Sequence, residues 1–152
     1  MRHTIAVFLL FLTFQSAFAE TVVTRDAWIR EAPPVSRVLA GYVEIINNGN
    51  KDVQLVDVSS KGFSKVELHE TILNNGLSKM QQQDQINIPA GSSVELKPEG
   101  MHMMLFNPVA ALKAGQHVQL ELHFNDGKKQ LVDFSVRKVT GGTDHSHHHM
   151  HH

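Results

Sequence analysis

Four side chains in this chain have types and spacing that could do chemistry together: His69, Met80, His102 and Met104. Two imidazoles and two thioethers suit few reactions but suit copper well, Cu(I) above all. Thioether sulfur is soft and favours Cu(I), while imidazole accepts both oxidation states. Neither ligand has to shed a proton at neutral pH, as a thiol would. Hard cations such as Ca²⁺ and Mg²⁺ want carboxylates, and zinc prefers Cys, His and carboxylate. Taken singly, a strand Met is core filler and a lone His is a solvated surface residue. Taken as a set, the four point to copper.

They can act together only if the backbone gathers them. Met101-His102-Met103-Met104-Leu105-Phe106 follows the turn signal Lys97-Pro98-Glu99-Gly100 and reads as a strand. Residues i and i+2 of a strand share a face, about 6.6 Å apart, so His102 and Met104 point the same way. In the alternating run 64–71, Val66 and Leu68 form the apolar set. His69 falls with Lys65, Glu67 and Thr71 on the wetter side. Met80 follows Asn74-Asn75-Gly76, and Asn-Gly is a strong hairpin signal. It shares its side with Ser78 and Gln82, where an apolar residue needs a reason.

The remaining pattern is also short strands parted by turns. Expected strands are 21–30, 41–46, 53–58, 65–71, 77–82, 94–96, 102–106, 117–124 and 130–136. Turn residues include Asn48-Gly49, Pro89-Ala90-Gly91, Glu99-Gly100 and Asp126-Gly127. Such spacing predicts an all-β, Greek-key β-sandwich or barrel in a single domain, 20–139. Residues 109–113 are read as one helical turn. Trp28, Tyr42, Phe106 and Phe124 are read as packing residues, and His117 and His123 as solvated. Glu67 and Glu70 lie near His69 without a compelling carboxylate–imidazole spacing.

The spacing resembles a known family. His69, ten residues, Met80, twenty-one residues, then His102-Met103-Met104 is similar to the His-x10-Met-x21-His-x-Met signature of the periplasmic copper-A chaperones. The likeness extends over roughly 27–136. Asp26-Ala27-Trp28-Ile29-Arg30 with Ala32-Pro33-Pro34 resembles that family's opening strand and loop. Ala40-Gly41-Tyr42-Val43-Glu44-Ile45 with Asn47-Asn48-Gly49 resembles its second strand and turn, and Ile88-Pro89-Ala90-Gly91 its central stretch. Family members often carry Met directly after the first His or two after it; here those positions are Glu70 and Thr71. The resemblance implies a cupredoxin-like sandwich. It also implies delivery of copper to the copper-A centre of cytochrome c oxidase, with a thioredoxin-like copper chaperone as co-worker.

The ends carry their own signals. Arg2, the apolar run 5–14 and Ala17-Phe18-Ala19 read as a signal peptide, 1–19, cleaved before Glu20. That run is too short to span a bilayer, which implies export to the periplasm without membrane insertion. Cleavage would leave 133 residues (152 less 19) and a net charge of −2, the chain's −1 less the one positive charge of Arg2. A charge so near zero gives no reason to expect nucleic acid. The chain has no cysteine, which excludes thiol redox catalysis, Cys-based zinc sites and a blue-copper thiolate.

Residues 140–152 hold His145, His147, His148, His149, Met150, His151 and His152. Their Gly-rich polar context predicts a flexible metal-binding tail, with Cu(II) favoured in the Irving–Williams order. Ser146 and Met150 break the His run, unlike an uninterrupted purification tag. Together these features predict a copper chaperone and not an enzyme. The rival from the same chemistry is a buffering or resistance protein that stores copper. The rival from another class is a copper enzyme or electron-transfer protein, which lacks the expected thiolate and placed acid–base groups.

Overall fold

A computed structural model describes residues 21–139. Ten strands account for its regular structure: β1 (Val22–Arg30), β2 (Val38–Asn47), β3 (Val53–Ser59), β4 (Phe63–Asn74), β5 (Leu77–Gln83), β6 (Ile86–Ile88), β7 (Ser92–Leu96), β8 (Met101–Pro108), β9 (His117–Phe124) and β10 (Lys129–Arg137). The signal peptide at 1–19 and the tail at 140–152 lie outside the described residues.

The strands join in the order β5-β4-β8-β2-β1-β10-β9-β3-β6, with β7 also paired to β2. β1 and β10 run parallel, whereas the other ladders are antiparallel. The far strand β6 returns to contact β7 and β2, so the sheet wraps around one interior. This is the all-β, cupredoxin-like arrangement expected. The core is mostly aliphatic, with Ile29, Ile45, Leu55, Met103, Leu105, Leu120, Leu122 and the aromatic Phe134 fully buried.

Strand alternation decides which residues reach that interior. On β8, Met103 and Leu105 point inward, leaving His102 and Met104 on the outer face. On β4, Leu68 points inward, leaving Glu67 and His69 outside. A bulge in β1 between Arg25 and Trp28 changes the parity of that strand. Asp26 sits there at φ 48°. Past the bulge Ile29 is the core residue, and Trp28 lies outside, opposite Tyr42. Their rings pack with centroids 4.5 Å apart and planes inclined by 39°.

Two expectations need correction. Residues 109–113 make no helical turn. The Val109 N–H donates to the Gly62 carbonyl and the Lys113 N–H to the Gln116 side chain, so no local ladder forms. Phe124, read as a packing residue, lies in the core, and Trp28, Tyr42 and Phe106, read likewise, pack on the outer face. Strand β6 was not foreseen; it pairs with β3 through Val53, Gln54 and Leu55.

Candidate metal centre

The β4–β5 hairpin turns through Asn75 and Gly76, both at positive φ (50° and 78°), the conformation a two-residue primed turn demands. Asn74 and Leu77 close it, and the register that follows sets Thr71 opposite Met80 and His69 opposite Gln82. On its other edge β4 pairs with β8, where His69 faces His102 and Glu67 faces Met104. Directly opposed residues share a face, as do residues two apart. His69, Met80, His102 and Met104 therefore all project from one face of the β5-β4-β8 sheet.

They are not equally close. The imidazoles of His69 and His102 are neighbours, with ring centroids 6.1 Å apart and planes inclined by 35°. Met104 lies two residues along from His102 and diagonal to His69. Met80 lies on the opposite diagonal, on the edge strand, and is 58% exposed. On a flat sheet the two methionine Cα atoms would stand about 16 Å apart, from ~3.3 Å per residue and ~4.8 Å per strand. Both sulfurs reach one ion only where the hairpin curls over the face.

Burial corrects the expectation of a wet site. His102 is 5% exposed. One residue along from the Gly41–Met103 pair come Tyr42 and His102, so His102 sits between His69 and the Trp28–Tyr42 pair. Tyr42 is buried too, and its hydroxyl pKa is pushed up by desolvation, which Arg30 partly offsets.

Hydrogen bonds fix both imidazoles. The His102 Nδ1–H donates to the Gly100 carbonyl at 2.9 Å. A carbonyl can only accept, so Nε2 of neutral His102 keeps its lone pair. The His69 Nε2–H donates to Glu67 Oε2 at 2.8 Å. The other oxygen of Glu67 holds Lys65 Nζ at 2.6 Å. Lys65 and then His69, as hydrogen-bond donors, hold the Glu67 carboxyl below its usual range. His69 Nδ1 is buried and has no hydrogen-bond partner. A buried nitrogen with an unused lone pair is costly, and a metal ion would satisfy it.

Glu67 is placed beside His69 by the sequence but given no role there. The signal was present: in a strand, i and i+2 share a face, so Glu67 and His69 had to be neighbours. The other histidines are elsewhere. Exposed His117 contacts Asp133 at 2.5 Å. His123 is half-buried and not simply solvated, held by Glu121 at 2.7 Å and Ser59 at 3.2 Å. Among the described residues, no group of three His, Asp or Glu side chains is arranged to hold a metal. The His/Met set is therefore the strongest metal candidate there. His145, His147, His148, His149, Met150, His151 and His152 lie outside the described residues.

Comparison with known proteins agrees with this fold. The sequence profile described as "Putative lipoprotein LpqE-like" matches residues 22–136. The protein named "Putative lipoprotein Lxx21020", from Leifsonia xyli subsp. xyli, is 34% identical over 127 residues, 83% of this chain and 75% of that one. RP573 of Rickettsia prowazekii is 36% identical over 98 residues, and the aligned part is 64% of this chain and about half (54%) of that protein. Among solved structures, DR1885 of Deinococcus radiodurans without metal superposes with a TM-score of 0.63 at 26% identity, covering 91% of this chain and 93% of that one. Its Cu(I) form gives 0.64, also at 26% identity, over 78% and 79%. The copper-bound PCuAC domain of PmoF2 gives 0.67 at 20% identity over 78% and 94%, a likeness of fold. By the extent of its profile match and its identity to the Leifsonia protein, this chain belongs to the LpqE-like family.

Proposed function

We infer that the protein is a periplasmic copper chaperone. It takes Cu(I) at His69, Met80, His102 and Met104 and passes it on. One observation carries this reading. Two imidazoles stand opposite each other with a lone pair free on each, one of them on a buried nitrogen that nothing else satisfies. Methionines on the same face add the soft donors that select Cu(I). The Cu(I) form of DR1885, a relative of the same fold, supports the choice of metal.

Unequal exposure suits transfer. Met80, exposed on the sheet edge, meets a recipient first. A recipient's ligand can replace its sulfur while the sheltered histidines still hold the ion, so copper moves by exchange and is never free. The recipient is the copper-A domain of cytochrome c oxidase, with a thioredoxin-like copper chaperone as co-worker. The tail at 140–152 captures Cu(II) at lower selectivity. Export follows from the signal peptide reading at 1–19, and no helix among the described residues is long and apolar enough to cross a membrane.

Storage is the second reading, favoured by the His-rich tail. Mixing the Cu(I)-loaded protein with a metal-free oxidase copper domain separates the two. Delivery predicts that copper appears on the oxidase domain; a protein that retains its copper is a store.

A further inference from the structure

Glu67 makes two contacts that differ in kind. One carboxylate oxygen is held by Lys65 Nζ at 2.6 Å, and the other accepts from His69 Nε2 at 2.8 Å. Lys65 is steadied in turn by the Phe106 ring, whose centroid lies 4.8 Å from Nζ. Phe106 pairs with Lys65 across the β4–β8 ladder. The carboxylate is thereby clamped with one oxygen aimed at His69. Only 17% of the Glu67 side chain and 14% of the His69 side chain are exposed. An ionised carboxylate can only accept, so it keeps the proton on Nε2 and leaves the lone pair on Nδ1. That Nδ1 is the buried atom without a partner. His102 is fixed in the opposite sense, its Nδ1–H bound to Gly100 and its Nε2 free.

We propose that Glu67 is a positioning residue that fixes His69 in the Nε2–H form, so that copper binds through Nδ1 of His69 and Nε2 of His102. This rests on the copper reading above and adds to it a mixed pair of ring nitrogens. The mixed pair has a consequence. Nδ1 lies next to the ring's attachment point, so an ion there sits close to the β4 backbone. An ion on Nε2 stands off at the tip of the His102 ring. Binding through these two atoms places copper over β4, the strand that pairs with Met80's strand. Carboxylate partners of this kind orient ligating histidines and raise their basicity, and losing one costs about 10–100-fold in metal affinity.

The test is nitrogen-15 NMR of the imidazoles, first on the metal-free full chain and then after anaerobic Cu(I) loading. The variants are Glu67→Ala, Glu67→Gln and, as a control on the opposite face of β4, Glu70→Gln. The metal-free protein and E70Q should show His69 protonated on Nε2. Loading should shift His69 Nδ1 and His102 Nε2. E67A should show mixed His69 tautomers and bind Cu(I) about 10–100-fold more weakly. E67Q, whose amide oxygen still accepts, should restore the tautomer and most of the affinity. A Cu(I) shift at Nε2 of His69, or an unchanged tautomer in a folded E67A, would overturn this assignment alone. If no ring nitrogen of His69 or His102 moved on loading, the copper site itself would fall, and this proposal with it.

Discussion

His69 and His102 are directly paired across the β4–β8 ladder, with ring centroids 6.1 Å apart. A metal–nitrogen bond of about 2 Å implies a centroid separation of roughly 5–6 Å for two imidazoles sharing one ion. The observed spacing is close to that range. The backbone positions of the pair are set by sheet register, with fully buried Met103 and Leu105 anchoring β8 beneath it, and hydrogen bonds to Glu67 and Gly100 orient the two rings. The methionines have no such anchor in common. Met104 rides on the same strand as His102, whereas Met80 stands on an edge strand in solvent.

This asymmetry predicts how the two methionines respond to replacement. Met80→Leu and Met104→Leu should each weaken Cu(I) binding by about tenfold or more, ~1.4 kcal/mol. Cu(II) should be affected far less, since thioether sulfur prefers the softer ion. Exposed Met80 contributes little packing, so M80L should melt at the temperature of the parent. Competition titrations with a Cu(I) chelator and a Cu(II) chelator provide the measurement; equal losses for both ions would contradict the soft-ligand argument.

The common face of the four side chains was legible because strands alternate with period two and Asn75-Gly76 pins the hairpin. The shelter of His102 was not. It depends on the β1 bulge, which turns Trp28 outward onto Tyr42, and a bulge has no sequence period. β6 was missed because Ile86-Asn87-Ile88 offers two apolar residues, too few to register as alternation. β2 begins earlier than expected, at Val38, because Val38 finds a partner in Phe106 across the sheet. Glu67 was given no role because its worth lies in where its oxygens point, which depends on Lys65 as well as His69.

Asn47 predicts a large stability effect far from the candidate site. It is 1% exposed, and its side-chain amide donates to the carbonyls of Lys51 at 2.8 Å and Ile88 at 3.0 Å. Its oxygen accepts the Gly49 N–H at 3.0 Å. It thus ties the turn after β2 to β6. Asn47→Ala would leave these groups unpaired, at a cost of about 2–3 kcal/mol. Chemical denaturation should show a lower midpoint with an unchanged slope. Asn47→Asp should be no better, since a carboxylate cannot donate to the two carbonyls.

Asp126 predicts a pH dependence. It sits in the β9–β10 turn, where its carboxylate accepts the Lys128 N–H at 3.0 Å and lies 3.2 Å from Lys128 Nζ. The backbone hydrogen bond is the main cause holding its pKa below the usual value; desolvation opposes it, and the Lys128 side chain assists. A depressed folded-state pKa means stabilisation that is present above the unfolded pKa and lost as pH falls through the folded one. Asp126→Asn should therefore lower the melting temperature slightly at neutral pH. The difference from the parent should vanish in acid, and a pH series of thermal melts would detect it. A constant difference at every pH would assign the effect to packing.

The tail prediction separates capture from the ordered site. Deleting residues 144–152 removes seven potential ligands, His145, His147, His148, His149, Met150, His151 and His152. The truncated chain should bind less copper in total, with the loss falling mainly on Cu(II), because clustered imidazoles favour the ion at the top of the Irving–Williams order. One Cu(I) per chain should remain. X-ray absorption on that species reads the donors directly. Sulfur beside nitrogen around the ion would match two thioethers and two imidazoles, whereas nitrogen alone would mean that Met80 and Met104 do not reach it. The register places those residues on opposite diagonals of His69, so this measurement also asks whether the β4–β5 hairpin closes over the metal.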